Sequence, residues 1–375
     1  MLKIGIECEN LEDIKSRWGV GHLVINLLEE YAKDQELQKK FKLYLYFKRS
    51  IPEDEVLKNP IFVKRVSRTR SFNFFYHILM PLRAMMDRLD MMFFPAYMLP
   101  PLYLRKAMVL LTEDVFHEYK GGTLPFKYKL AYRLFTNWAA LRATKILAIS
   151  ESSKKQVAKL YGIKPEKIFV AHLGVKEPAT DEAASQYGSY VLYVGQMFPR
   201  RRALESLKAF EKIAPEFPHM NFVLVGKDKY PPARRAGNPS RIANEVKRVN
   251  EKLGKERVFH FDYIDDDKDL EKLYNGARLF IYISSSEAFG LPPVEAAAHG
   301  VPVVVKDSDL NHELFGNAAF FVADEKDPDN IANVFRQGLI DEVKREKFIR
   351  EYKERIHKLS WQNFAQRFFN SIISS

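Results

Sequence analysis

The stretch from Leu279 to Gly300, LFIYISSSEAFGLPPVEAAAHG, limits what this chain can fold into more than any other. It opens with Leu279-Phe280-Ile281-Tyr282-Ile283, a β-branched and aromatic run that reads as a buried strand, and serines carry it into a loop. It closes with a helix. Pro292 and Pro293 stand where a first turn tolerates a missing N–H, and Val294 to His299 continue with Ala-rich helix formers until Gly300 stops them. The loop between, Glu287-Ala288-Phe289-Gly290-Leu291, offers backbone N–H groups at the positive end of the helix dipole, a seat suited to a diphosphate. Glu287 and Glu295 frame that seat. A carboxylate accepts hydrogen bonds from paired hydroxyls but repels phosphate, so two of them beside an anion seat suit a ligand with diols on both sides of a phosphate. A sugar nucleotide is such a ligand. The competing reading is an exposed loop glutamate and a solvated helical one.

The rest of the second half repeats the α/β alternation. Tyr190 to Val194 is a strand ending at Gly195; Gln196-Met-Phe-Pro-Arg200-Arg201-Arg202 follows, then an amphipathic helix from Ala203 to Ala214. Arginines at a strand-to-helix turn clamp diphosphate, because guanidinium binds phosphate through two parallel hydrogen bonds. The alternative is a solvated basic turn. Asn221 to Val225 is a strand ending at Gly226, and Arg257 to Tyr263 is the next, followed by the acidic run Asp262 to Asp269. Within it, Asp265 to Asp269 reads as the start of a helix over Leu270 to Tyr274, where acidic side chains favour the dipole, rather than as a metal site. Tyr230 to Arg248 reads as a mobile surface loop and a solvated helix, and Val301 to Val305 as a buried strand.

In the first half, Lys3 to Ile6, Lys42 to Phe47, Ile61 to Val66, Met91 to Phe94, Met108 to Leu111, Lys145 to Ile149 and Ile168 to His172 are candidate strands with helical stretches between them. This is the pattern of a parallel sheet covered on both faces, whose ligands sit beyond the strands' C-terminal ends. The first such loop, Glu7 to Trp18, ends in Gly19-Val-Gly21-His22 before a helix over Leu23 to Ala32. Two glycines there allow backbone to approach phosphate, although a structural turn fits equally. Ser150 or Ser152 is placed to cap the helix after Ile149.

Charge is unevenly placed. Residues 1 to 175 hold 29 Lys and Arg against 18 Asp and Glu, and residues 176 to 375 hold 30 against 30, so the whole +11 belongs to the first half. A domain so biased suits an acidic partner: a phosphate-bearing acceptor, an anionic membrane or nucleic acid. No zinc-finger spacing or RNA-binding aromatic signature supports the last. Phe72 to Phe94, dense in Phe, Met, Tyr and Leu, reads as a core segment or as an interfacial patch docking on anionic membrane to reach a lipid-linked acceptor. Cys8 alone forms no disulfide, and with no apolar run of membrane-spanning length and a strand from Lys3 the expectation is a cytoplasmic chain without signal peptide, peripheral at the inner membrane face at most.

Glu287-Ala-Phe-Gly-Leu-Pro-Pro-Val-Glu295-Ala-Ala-Ala-His-Gly300 resembles the signature of family-4 retaining glycosyltransferases, mannosyltransferases among them. The resemblance implies an α/β GT-B fold: two Rossmann-like domains facing each other across a cleft, with a last helix crossing back. The corresponding boundaries are 1–176 for an acceptor-binding domain, 177–355 for the nucleotide-sugar domain and 356–375 for the returning helix, with a linker near Val175 to Ser189. It also implies that Glu287 holds hydroxyls of the donor sugar and Glu295 the ribose. Arg200 and Arg201 stand at the family's Arg-Lys pair, and Gly19, Gly21, Gly195, Gly226, Phe289, Gly290 and Leu291 line the donor nucleotide. The implied donor is GDP-mannose first and a UDP-sugar second; the acceptor is a glycan or lipid-linked saccharide, with no tightly bound cofactor, metal or nucleic acid.

Three positions depart from the family. Ala288 replaces a usual Gly, and Arg201 replaces the Lys. Of the family's His-Asp pair beside the sugar, Asp114 fits the Asp while Glu113 stands where His is expected, with His117 nearby. That substitution leaves room for altered donor choice, charge stabilisation by Glu113, or a sugar-nucleotide-binding protein without transfer activity.

Overall fold

The computed structural model describes residues 1–12, 19–113, 126–179, 182–184, 186–229 and 240–373. The chain forms two compact units, Met1–Gly174 joined by Leu359–Ser375, and Val175–Lys358.

The first unit is built on seven parallel strands, β1 (Leu2–Glu7), β2 (Phe41–Phe47), β3 (Val63–Val66), β4 (Met91–Phe94), β5 (Ala107–Leu110), β6 (Lys145–Ala148) and β7 (Ile168–Val170). Their order across the sheet is β3-β2-β1-β4-β5-β6-β7. Near-continuous burial of β1, β2, β4 and β5 is what a sheet covered on both faces requires. The order turns back between β1 and β4, the position where parallel sheets open a crevice for ligands.

The helix Gly19–Lys33 buries Leu23, Val24, Leu27, Leu28 and Tyr31, the single stripe that a 3.6-residue period gives. It begins four residues earlier than the sequence suggests, so Gly19 and Gly21 lie inside its first turn and not in a preceding loop. A second helix, Trp361–Ile373, belongs to the same unit although it ends the described chain. Phe369 packs its ring 5.6 Å from Tyr31 and 4.9 Å from Phe41, and Phe368 lies 4.9 Å from Phe93. Each fully buried phenylalanine is worth about 1.5–3 kcal/mol, enough to hold this segment on the first unit.

Phe72 to Phe94 divides between its two readings. Phe75, Tyr76, Met80, Leu89 and all of β4 are core, whereas Phe74, Leu82 and Met86 are exposed. Cys8 is buried.

The second unit carries β8 (Ser189–Val194), β9 (Met220–Val225), β10 (Val258–Phe261), β11 (Ala277–Tyr282), β12 (Val303–Lys306) and β13 (Phe320–Val322). All pair in parallel, in the order β10-β9-β8-β11-β12-β13. This is the doubly wound arrangement of a Rossmann half, with the reversal between β8 and β11. The sequence reading lacks β13, three residues long, and extends β10 on both sides of its actual limits. Arg257, which it placed in that strand, is instead buried and donates to the Ala214 and Met220 carbonyls. The acidic run after β10 works as expected: Asp266 caps the helix Asp267–Gly276, its side chain accepting from Lys268 N at 2.8 Å.

Candidate functional site

Beyond the C-terminal ends of β8 and β11, two turns meet. The first leaves β8 at Gly195 and runs through the short 3-10 turn Pro199–Arg201 into the helix Ala203–Ile213. The second leaves β11 and runs through Ser284-Ser285-Ser286-Glu287 to Gly290, the left-handed residue (φ +81°) that opens the helix Leu291–Ala298. Ser285 N donates to the Arg200 carbonyl at 2.8 Å, fastening one turn to the other. Arg200 and Glu287 therefore belong to one constellation.

Arg201 and Glu287 form its centre. Arg201 Nε and Nη2 donate to the two carboxylate oxygens of Glu287 at 2.6 and 3.3 Å, and Nη1 donates to the Gln196 carbonyl at 3.1 Å. The guanidinium lies 5.6 Å from the ring centres of both Phe198 and Tyr282. Side-chain exposure is 17% for the arginine and 11% for the glutamate, low enough that neither charge is tolerable without the other. Burial pushes the Glu287 carboxyl up. The Arg201 charge and hydrogen bonds, the Arg200 charge and the Tyr282 hydroxyl outweigh it and hold the group ionised, below the usual carboxylate range. The sequence reading treats Arg201 as a phosphate ligand and Glu287 as a sugar ligand acting separately; here they are one buried pair. Arg200 rests its guanidinium 4.7 Å over the Phe198 ring.

The glycines serve close approach. A Cβ on Gly226 would lie 2.0 Å from the Gly195 carbonyl oxygen, so the ends of β8 and β9 touch backbone to backbone. Ala288 and Phe289 are buried, and Leu291 begins the helix whose N-terminus faces the loop. On that helix Glu295 accepts from the Tyr274 hydroxyl at 3.0 Å. Burial raises the Glu295 carboxyl above its ordinary value, and the tyrosine's hydrogen bond opposes the shift. Tyr274 in turn stacks on His299, whose Nδ1 lies 2.6 Å from Asn275 Oδ1.

Other expected residues lie in the first unit. Gly21 is buried within its helix, and Gly19 has open space where a Cβ would stand. Glu113 is fully buried, accepting from Ser153 Oγ at 2.6 Å and from Gln156 Nε2 at 3.4 Å. These donors sit in the first turns of the helix Glu151–Tyr161, whose cap is Ser150. Glu113 is thus bound into the start of that helix. Asp114 and His117 fall outside the described residues. Among the described residues no group of three or more His, Cys, Asp or Glu side chains is placed to hold a metal ion.

Tyr282, Ser284 and Tyr274 went unnoticed in the sequence. Tyr282 sits in a run read as core, and its only signal is that a tyrosine at the last residue of a buried strand has a hydroxyl to satisfy.

Two parallel doubly wound units define the GT-B class of folds. HepE of Anabaena, in its complex with UDP-glucose, superposes over the whole of both chains with a TM-score of 0.74 at 15% sequence identity. Residues 180–355, nearly all of the second unit, match the family model described as glycosyl transferases group 1. The O-antigen chain mannosyltransferase B of Escherichia coli is 27% identical over 237 residues, covering 60% of this chain and 59% of that protein. The O-antigen chain mannosyltransferase RfbU of Salmonella typhimurium is 27% identical over 198 residues, 52% of each. The matches thus span somewhat more than half the length of these relatives.

Proposed function

We propose that this chain transfers a hexose, with retention, from a nucleotide-diphosphate sugar to a glycan or lipid-linked acceptor in the synthesis of a cell-envelope polysaccharide or glycoconjugate. The observation that carries the reading is the buried Arg201–Glu287 pair at the meeting of the two turns, beside the N-terminus of the helix Leu291–Ala298. As the diphosphate leaves, negative charge grows on its oxygen while the anomeric carbon becomes cationic. Arg200, Arg201 and the helix N-terminus oppose the first charge; Glu287 anchors the sugar that carries the second. Glu295, held by Tyr274, takes the ribose diol. The leaving phosphate assists the acceptor hydroxyl from the same face, so no separate base is required. GDP-mannose is the first donor, on the names of the two mannosyltransferase relatives, and UDP-glucose the second, on the ligand of HepE.

A donor screen that reads released nucleotide and then the anomer of the product by NMR tests this. Turnover of GDP-mannose or UDP-glucose with a retained anomer is expected, and an inverted product overturns the mechanism. Binding without turnover of any donor would favour the second reading, a sugar-nucleotide-binding protein, for which the engagement of Glu113 with Ser153 and Gln156 speaks.

The acceptor reading includes a lipid surface. On the helix Phe126–Arg142 the exposed residues Phe126, Leu130, Leu134 and Leu141 form one stripe, opposite the buried Thr136, Ala139 and Ala140. From Phe126 to Ser150 the chain carries Lys127, Lys129, Arg133, Arg142 and Lys145 and no acidic residue. An apolar stripe in a cationic setting fits an anionic bilayer, with the helix lying in the interface. No described helix is long and apolar enough to cross a membrane. Flotation with phosphatidylglycerol vesicles at low salt should carry the full chain upward. Replacing Lys127, Lys129 and Arg133 by Glu should weaken this on the order of a hundredfold, at ~1 kcal/mol or more for each basic side chain lost. Equal flotation of both proteins would remove the surface from the proposal.

A further inference from the structure

Glu287 meets its hydrogen-bond donors unequally at its two oxygens. Oε1 faces Arg201 Nε at 2.6 Å, the Tyr282 hydroxyl at 2.9 Å and Ser284 Oγ at 3.2 Å. Oε2 takes Arg201 Nη2 at 3.3 Å. A carboxylate oxygen has two lone pairs, so Oε1 is filled and Oε2 retains capacity to accept. Ser284 has one proton and three acceptors in reach, because the carbonyls of Ser286 at 3.1 Å and Arg200 at 3.4 Å compete with Glu287. The Tyr282 proton is directed at Oε1.

Tyr282 also touches the other half of the site. Its ring is 5.6 Å from the Arg201 guanidinium, and a Cβ on Gly195 would lie 3.1 Å from its Cε2. The ring fills the space beneath the arginine turn while the hydroxyl reaches the glutamate. We propose that Tyr282 is a positioning residue: by occupying Oε1 it fixes the rotation of the Glu287 carboxylate and presents Oε2 to a hydroxyl of the transferred sugar, which makes it a determinant of donor-sugar selection. This rests on reading the site as one for a nucleotide sugar. Burial and the neighbouring Glu287 charge push the Tyr282 phenol well above its ordinary value, so it remains a donor throughout the working pH range.

Tyr282→Phe keeps the ring and removes the hydroxyl alone. Calorimetry on the full chain compares GDP-mannose and UDP-glucose with GDP and UDP. The expected result is about tenfold weaker binding of the sugar nucleotide, the loss of one hydrogen bond to a charged group, with the free diphosphate bound within about twofold of the parent. The preference between the two sugars should narrow. In a Glu287→Gln background Tyr282→Phe should have no further effect, because the tyrosine acts through the glutamate. Equal losses for sugar nucleotide and free diphosphate would mean that the hydroxyl only supports the fold locally. Additive losses in the double variant overturn the proposal, as does a silent Tyr282→Phe beside a damaging Glu287→Gln. A parent protein that binds neither sugar nucleotide overturns the underlying site reading instead.

Discussion

Replacing Arg201 by Ala is expected to abolish transfer and to lower the melting temperature of the second unit on the order of 10 °C. Both effects follow from one observation, that the guanidinium is the counter-charge of a carboxylate only 11% exposed. Without it Glu287 is a buried anion with hydroxyl partners alone. Removing one member of a buried pair costs about 3–5 kcal/mol, and a unit of this size loses about 2–4 °C for each. The rate should fall for a separate reason: in the proposed mechanism the guanidinium also opposes charge on the leaving diphosphate, a contribution of about a hundredfold or more. Arg200→Ala separates the two contributions. Its guanidinium stacks on Phe198 and the Arg201–Glu287 bond stays in place without it, so the variant should lose less melting temperature than Arg201→Ala while still losing rate. Replacing Arg201 and Glu287 together by Met should recover most of the stability and none of the activity, since no uncompensated charge remains. Arg201→Ala with normal turnover would remove the pair from the chemistry.

The sequence made the sheets legible because a buried parallel strand is a short continuous apolar run, as β1, β4, β5 and β12 show; β3, Val-Lys-Arg-Val, is the half-buried edge strand that lacks one. β13 was missed although Phe320–Val322 continues the apolar run from Ala318, because three residues after two helix-forming alanines do not set a period of two apart from a helical one. The two turns were legible because glycines, prolines and charges gather at the ends of apolar runs, and the structure brings them together through the Ser285 N–H and the Arg200 carbonyl. What the sequence withheld was pairing. Arg201 and Glu287 are far apart in the chain, and only the β8–β11 adjacency brings them to 2.6 Å. Tyr282 was hidden by its own strand, where the ring reads as core and the hydroxyl has no sequence signal. Gly19 and Gly21 show the opposite error. Glycine's usual place outside helices suggests a loop, yet the helix begins at Gly19 and its core-facing stripe sets in at Gly21 and Leu23.

Gly226→Ala should be the most destabilising single methyl addition in the second unit, costing about 4 kcal/mol or more, a range reserved for backbone clashes and broken cores. Gly226 has φ +142°, where a side chain is strained, and its added Cβ would meet the Gly195 carbonyl oxygen at 2.0 Å and the carbonyl carbon at 2.6 Å. Neither atom can yield. Gly195 N is bonded to the Val225 carbonyl at 2.8 Å, Gly226 N to the Phe261 carbonyl at 2.8 Å, and Met197 N to the Lys227 carbonyl at 3.0 Å, so the two strand ends are knitted on both sides of the contact. Relief requires moving the Gly195 turn, and with it Arg200 and Arg201. Gly254→Ala is the control: its φ is +66°, it ends the helix Arg241–Leu253, and nothing stands within 4 Å of the added carbon. It should cost only the left-handed conformation, about 1–2 kcal/mol. Thermal denaturation of both variants reads the difference directly, and nucleoside diphosphate binding should be lost in Gly226→Ala and retained in Gly254→Ala. Equal melting temperatures would mean that the ends of β8 and β9 are not held against each other, and the arginine turn would then lose the support it takes from β9.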